Sequence, residues 1–172
     1  MIASASCGIM KTLLIVVHSL TGGSQHMAQG ACAGARQEQG VTVLLKSASE
    51  VHTPDLLGAQ ACLFVGPETL GGITGMMKDL FDRCYYPALD HMAGKAYALM
   101  VCAGSDGHGA VRQLQRILTG WRMKEVAEPL IVCTQAQTPK AIAAPKHISE
   151  NDLAQCEQLG QAVAAGLAMG LY

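Results

Sequence analysis

Charge is scarce in this chain. Only 15% of its 172 residues are Asp, Glu, Lys or Arg, and the formal net charge is -1. Without a basic excess there is no electrostatic pull toward nucleic acid or an acidic membrane surface. No stretch approaches the ~20 apolar residues of a membrane span, so no membrane partner is expected. There is no C-x-x-C pair either. The seven cysteines, Cys7, Cys32, Cys62, Cys84, Cys102, Cys133 and Cys156, are odd in number. Cys62, Cys102 and Cys133 sit inside apolar runs, where a free thiol acts as a small hydrophobe. This pattern speaks against a disulfide framework or a metal site and for a reducing cytoplasm. Met1 to Met10 lack the basic start and apolar centre of a secretory signal. We read residues 1–10 as a poorly ordered leader, with Met10 a second candidate start, and residues 11–172 as one domain.

What the chain does have is apolar bulk. Half its residues are apolar, which suits a sheet covered on both faces. Short continuous apolar runs fall at Thr12–Val17, Val41–Leu45, Ala61–Val65, Ala96–Val101 and Leu130–Cys133, each the length of a fully buried strand. Between and after them the pattern predicts helices over Ser24–Gln39, Gly72–Tyr85, Gly109–Thr119 and Ser149–Met169. A short helix is expected near Thr53-Pro54-Asp55, with Thr53 as N-cap. Ser149 and Asp152 form an N-terminal box for the last helix. Five alternations of strand and helix imply an α/β three-layer sandwich. Its parallel sheet has five strands in the order 2-1-3-4-5, with helices on both faces. Ligands in such sheets bind beyond the carboxyl ends of the strands, where the order reverses.

Three chemically special loops follow strands one, three and four. The first is His18-Ser19-Leu20-Thr21-Gly22-Gly23-Ser24-Gln25. It offers backbone N–H groups, three short hydroxyls and the positive end of the next helix, the parts of an anion site. It has no Lys or Arg, so it fits one terminal phosphate better than a polyphosphate with Mg²⁺. The second loop runs from Gly66 to Gly75 and the third from Cys102 to Gly109. Their glycines let main-chain amides approach a flat ligand. Neither G-x-x-x-x-G-K-[ST] nor a G-x-G-x-x-G after the first strand occurs, which argues against a P-loop NTPase and a dinucleotide fold. A phospho-receiver domain needs acids where His18-Ser19 and Gly66-Pro67 stand.

These loops resemble those of the flavodoxin-like superfamily, in particular its NAD(P)H-dependent FMN reductase and quinone oxidoreductase branch. Ser19-Leu20-Thr21-Gly22-Gly23-Ser24 is similar to the family's FMN phosphate loop. Pro67 to Gly72, followed by Met77-Lys78-Asp79-Leu80-Phe81-Asp82-Arg83, resembles its flavin loop and K-x-x-F-D-R helix. Ala103-Gly104-Ser105-Asp106-Gly107 resembles the third flavin-contacting loop.

The resemblance implies a flavodoxin-like fold and FMN as cofactor. It implies NAD(P)H as electron donor and a quinone, flavin or similar small molecule as acceptor, with ping-pong turnover. It also implies a homodimer, by fold analogy. The cofactor-binding residues would be Ser19, Leu20, Thr21, Gly22, Gly23 and Ser24; Glu68, Thr69, Leu70, Gly71 and Gly72; and Ala103, Gly104, Ser105, Asp106 and Gly107. Amides from Thr69 to Gly72 would face flavin N5, and those from Gly104 to Gly107 the pyrimidine rim, favouring the reduced state.

Individual side chains keep two readings at this point. His108 either serves the reduced flavin as a catalytic proton donor or is a solvated loop residue, the commoner case. His18 touches the phosphate or packs against the loop. Asp106 bonds the ribityl chain or caps the next helix. Asp82 and Arg83 read as a structural pair. Tyr85, Tyr86 and Trp121 line the substrate side or a dimer contact, while Met76, Met77, Met92, Met100 and Met123 read as core filler. No aromatic stands in the second or third loop, so one flavin face is left open for nicotinamide. Two other functions share the fold: a flavodoxin-type electron carrier, which net charge -1 disfavours because such carriers are strongly acidic, and a non-catalytic flavin-binding or regulatory module.

Overall fold

The computed structural model describes residues 10–172, so all of the expected leader except Met10 lies outside the described residues. Five apolar runs form the parallel sheet, the three inner ones buried. Strand β1 (Lys11–Val17) lies between β2 (Val41–Ser47) and β3 (Ala61–Thr69). Beyond β3 lies β5 (Ala96–Ala103), every residue of which is buried. The fifth position is divided between β6 (Lys124–Glu125) and β7 (Leu130–Cys133), both parallel to β5. The order is thus the expected one, apart from this split and one added antiparallel strand, β4 (Gly72–Ile73), on the end of β3.

Alternate side chains of each strand enter opposite layers, which is why these strands read as continuous apolar runs. Leu13, Ile15, Leu63, Val65, Ala98 and Met100 pack under α1 (Gly23–Ala35) and α6 (Glu150–Met169). Leu14, Val16, Cys62, Phe64, Leu99 and Val101 pack under α2 (Thr53–Gly58), α3 (Gly75–Ala88) and α4 (His108–Gly120). α1 and α6 touch backbone to backbone, because a Cβ on Gly34 would overlap the Glu157 carbonyl and one on Gly160 the Ala31 carbonyl. Their small residues are therefore a packing requirement.

Several local expectations change. α1 stops at Ala35 rather than Gln39, and α2 takes His52, not Thr53, as its N-cap, with the Asp55 carboxylate accepting the His52 N–H at 2.9 Å. α3 starts at Gly75 because Gly72 and Ile73 join the sheet. Arg83 pairs with Asp79 at 2.7 Å and also donates to the Val51 and Ala48 carbonyls, while Asp82 pairs with Lys78. Trp121 is fully buried, its indole N–H donating to the Tyr85 carbonyl at 3.0 Å and its ring stacked on Tyr85, so it lines no substrate surface. Met76 is exposed, whereas the other four methionines are core. Cys133 is exposed, unlike buried Cys62 and Cys102. Among the described residues no helix is long and apolar enough to cross a membrane.

Candidate functional site

The loop after β1 turns sharply into α1. Gly22 is the helix N-cap with φ 89°, a conformation that favours glycine, and its N–H donates to Ser19 Oγ at 3.1 Å. No side chain caps α1. The N–H groups of Gly23, Ser24 and Gln25 have no acceptor within the helix by its geometry, and the positive dipole end is left unneutralised. Ser24 adds a second deficit: its hydroxyl is buried and has no hydrogen-bond partner among the described residues. Buried polar atoms without partners are uncommon and each asks for a reason. The half-buried His18 imidazole, at the end of β1, is held below its usual pKa by burial.

The stretch read as a long loop after β3 is a hairpin. β3 continues through Gly66-Pro67 to Thr69, turns on Leu70 and Gly71, and returns as β4. Pro67 is tolerated because β1 pairs only as far as Val65, leaving β5 as the sole parallel neighbour beyond it. Leu70 (φ 53°) and Gly71 (φ 72°) are both left-handed, the signature of a type I′ turn. Leu70 is fully exposed at the tip. Gln113 of α4 accepts the Ile73 N–H at 2.9 Å and so fixes the hairpin's returning arm.

Glu68 has a task that sequence reading missed. Its Oε2 accepts the Gly107 N–H at 2.7 Å and its Oε1 the Ala110 N–H at 3.1 Å. Gly107 is the N-cap of α4 and Ala110 its third residue. These are the two donors a capping box satisfies from within a helix; here one carboxylate from β3 takes both. Gly107, not Asp106, is the N-cap and Asp106 makes no capping bond, and the Gly107 amide is not free for a ligand. Gly109 lets α4 approach, since a Cβ there would overlap the Gly71 carbonyl.

The three segments converge on a cleft of about 440 Å³ at the carboxyl edge of the sheet. Of the expected residues, Leu20, Thr21, Glu68, Thr69, Leu70, Ala103 and Gly104 line it. Gly23 and Ser24 lie buried at the start of α1, while Ser105 and Asp106 are exposed and outside the lining. His108 is exposed at the first position of α4, also outside the lining. A fourth wall was not anticipated. The segment after β7, carrying the short helix α5 (Pro139–Ala143), contributes Thr134, Ala136, Ile142 and Lys146. Thr138-Pro139 carries the same Thr-Pro helix-start signal as Thr53-Pro54, and it was the one available hint. Leu20, Leu70 and Ile142 make the cleft's exposed apolar rim.

Fold and cleft together define a doubly wound α/β domain with an anion-type loop at its switch point. The family model for NADPH-dependent FMN reductase matches residues 45–138, more than half of the chain, and the protein belongs to that family. A flavodoxin of Aquifex aeolicus is 28% identical over 110 residues, covering 64% of this chain and 60% of that protein. An NAD(P)H dehydrogenase (quinone) of Acidithiobacillus ferrooxidans is 28% identical over 94 residues, covering 43% and 47%. The match thus spans about half the length of these relatives. Among solved structures, a flavodoxin from the domain Archaea superposes with TM-score 0.73 at 18% identity, over 91% of this chain and 98% of that one. The flavodoxin, WrbA-like protein from Agrobacterium tumefaciens gives 0.74 at 18%, over 93% and 98%. The fold is flavodoxin-like, as the loops implied.

Proposed function

We propose that this protein binds FMN in the cleft and passes electrons from NAD(P)H to a small acceptor such as a quinone or a flavin. The observation that carries this reading is the uncapped start of α1 with the partnerless Ser24 hydroxyl beside it. Both are deficits in the protein alone, and both suit an anion. Thr21 and the Gly23, Ser24 and Gln25 amides would hold the phosphate.

The hairpin from Pro67 to Leu70 and the Ala103-Gly104 turn would wall the ring, in a cleft of the size small-molecule sites have. Bound FMN supplies the exchange of electrons between a two-electron donor and either one- or two-electron acceptors. The chain's own part is to fix the tail, to exclude water with Leu20, Leu70 and Ile142, and to leave one ring face uncovered by any aromatic. His108, outside the lining, has no role in this reading.

The test is direct. Purified protein is loaded with FMN, freed of excess by gel filtration, and mixed anaerobically with NADPH and then NADH. Retained yellow colour that NAD(P)H bleaches and a quinone restores is the expected result. Colourless protein removes the FMN reading. Colour that neither nicotinamide bleaches leaves the carrier function, which net charge -1 disfavours.

A further inference from the structure

The phosphate-type loop from Ser19 to Ser24 contains no cation, yet a lysine from a distant segment is bonded to it through its main chain. Among the described residues, Lys146 is the only Lys, Arg or His side chain lining the cleft. It belongs to the segment after β7, and its backbone N–H donates to the Thr21 carbonyl at 2.7 Å, tying that segment to the loop. Its Cβ lies 3.1 Å from where a Cβ on Gly23, the first residue of α1, would stand. Its Nζ donates to the Ala141, Ile142 and Ala144 carbonyls at 2.9, 2.7 and 2.7 Å, so the ammonium is held in one place rather than waving in solvent.

The charge is felt at the start of α1. Cys102 Sγ lies 2.6 Å from the same Cβ position on Gly23. Burial raises the pKa of the Cys102 thiol, and the Lys146 ammonium opposes that rise. On the same first turn, the buried Ser24 hydroxyl lacks any partner. The unmatched amides and the orphaned hydroxyl thus share the first turn of α1, with the stem of Lys146 against it and its ammonium near enough to act on Cys102.

We propose that Lys146 supplies the positive charge of this anion site, and that the site therefore selects the phosphorylated flavin over the unphosphorylated one. The inference rests on the FMN reading above. A neutral anion loop is completed by a cation delivered from a distant part of the chain, prepositioned by three carbonyls so that little side-chain freedom is lost on binding. The bland alternative is that Lys146 only ties off the carboxyl end of α5.

The experiment titrates FMN and riboflavin into the wild type, Lys146→Gln and Lys146→Arg, with circular dichroism to check the fold. Gln keeps two N–H donors for the carbonyls and deletes the charge; Arg keeps the charge. We expect Lys146→Gln to weaken FMN about tenfold and riboflavin less than twofold, with Lys146→Arg holding the wild-type ratio. Equal losses for the two ligands, or no loss in Lys146→Gln, overturn the inference while leaving FMN binding intact. If Lys146→Gln does not fold, Lys146→Arg decides: a folded Arg variant that loses the FMN preference also overturns it. Wild-type protein that binds neither ligand overturns the FMN reading and this inference together.

Discussion

Removing the Glu68 carboxylate separates a structural role from a ligand-binding one. In Glu68→Ala, the Gly107 and Ala110 amides lose their acceptor, and both residues are buried. A helix cap of one such bond is worth about 1 kcal/mol, and hydrogen bonds to a charged group about 1.5–3. Water reaches the half-buried carboxylate and replaces part of this, so two bonds give a loss of about 2–3 kcal/mol. For a domain of this size that is a fall of about 5–10 °C in Tm. Glu68→Gln keeps one acceptor oxygen but turns an NH₂ toward a second donor, so it should fall between the wild type and Ala. Urea unfolding of the ligand-free protein, followed by circular dichroism, measures both variants, and hydrogen exchange at the Ala110 amide localises the effect. A Glu68→Ala variant within about 0.5 kcal/mol of the wild type, yet unable to keep FMN, would refute the capping argument and make Glu68 a ligand residue.

Four further perturbations test the same structure. Ser24→Ala deletes a buried hydroxyl that has no partner, so the ligand-free protein should hold or gain up to about 1 kcal/mol while FMN affinity falls by about 1 kcal/mol; unchanged affinity in a titration counts against Ser24 at the phosphate. Gly160→Ala forces a Cβ into the Ala31 carbonyl, and separating α1 from α6 should cost about 2 kcal/mol or more net of the better helix propensity, read from the urea midpoint. Leu70→Asn relieves a left-handed leucine and should stabilise the ligand-free protein by about 1 kcal/mol, a gain that thermal melting would reveal. His18, held below its usual pKa by burial, is protonated more readily in the unfolded chain. Stability should therefore be fully present above about pH 6.5 and decline as pH falls through the depressed folded value; His18→Gln should flatten that decline in melts between pH 7 and 5, and an unchanged slope refutes it.

The parts of this fold that could be read from the sequence are those where one residue's surroundings follow from its neighbours in the chain. Ala96–Val101 lies wholly within β5 because a strand buried in a parallel sheet is an apolar run. Ser149 caps α6 through a bond to the Asp152 N–H three residues on. The misreadings share a different cause. Gly66-Pro67 looked like a break, yet it continues β3, because whether a strand tolerates proline depends on where its neighbour ends. Leu70-Gly71 forms a turn usually marked by Asn-Gly, and nothing local foretells a leucine with positive φ. Its full exposure in a costly backbone conformation also says that folding alone does not account for it, which is a reason to place it at a ligand. Glu68 and Lys146 carry the argument furthest. Glu68 was grouped with cofactor residues by its loop, but its carboxylate is occupied by a helix 39 positions away. Lys146 stood in a segment with no expected role, yet its backbone N–H is bonded to the first loop at Thr21 and its stem packs at Gly23. Residue types along a loop state what that loop can offer a ligand. Which of those groups remain free, and which charge arrives from elsewhere, is decided by contacts between segments far apart in the chain.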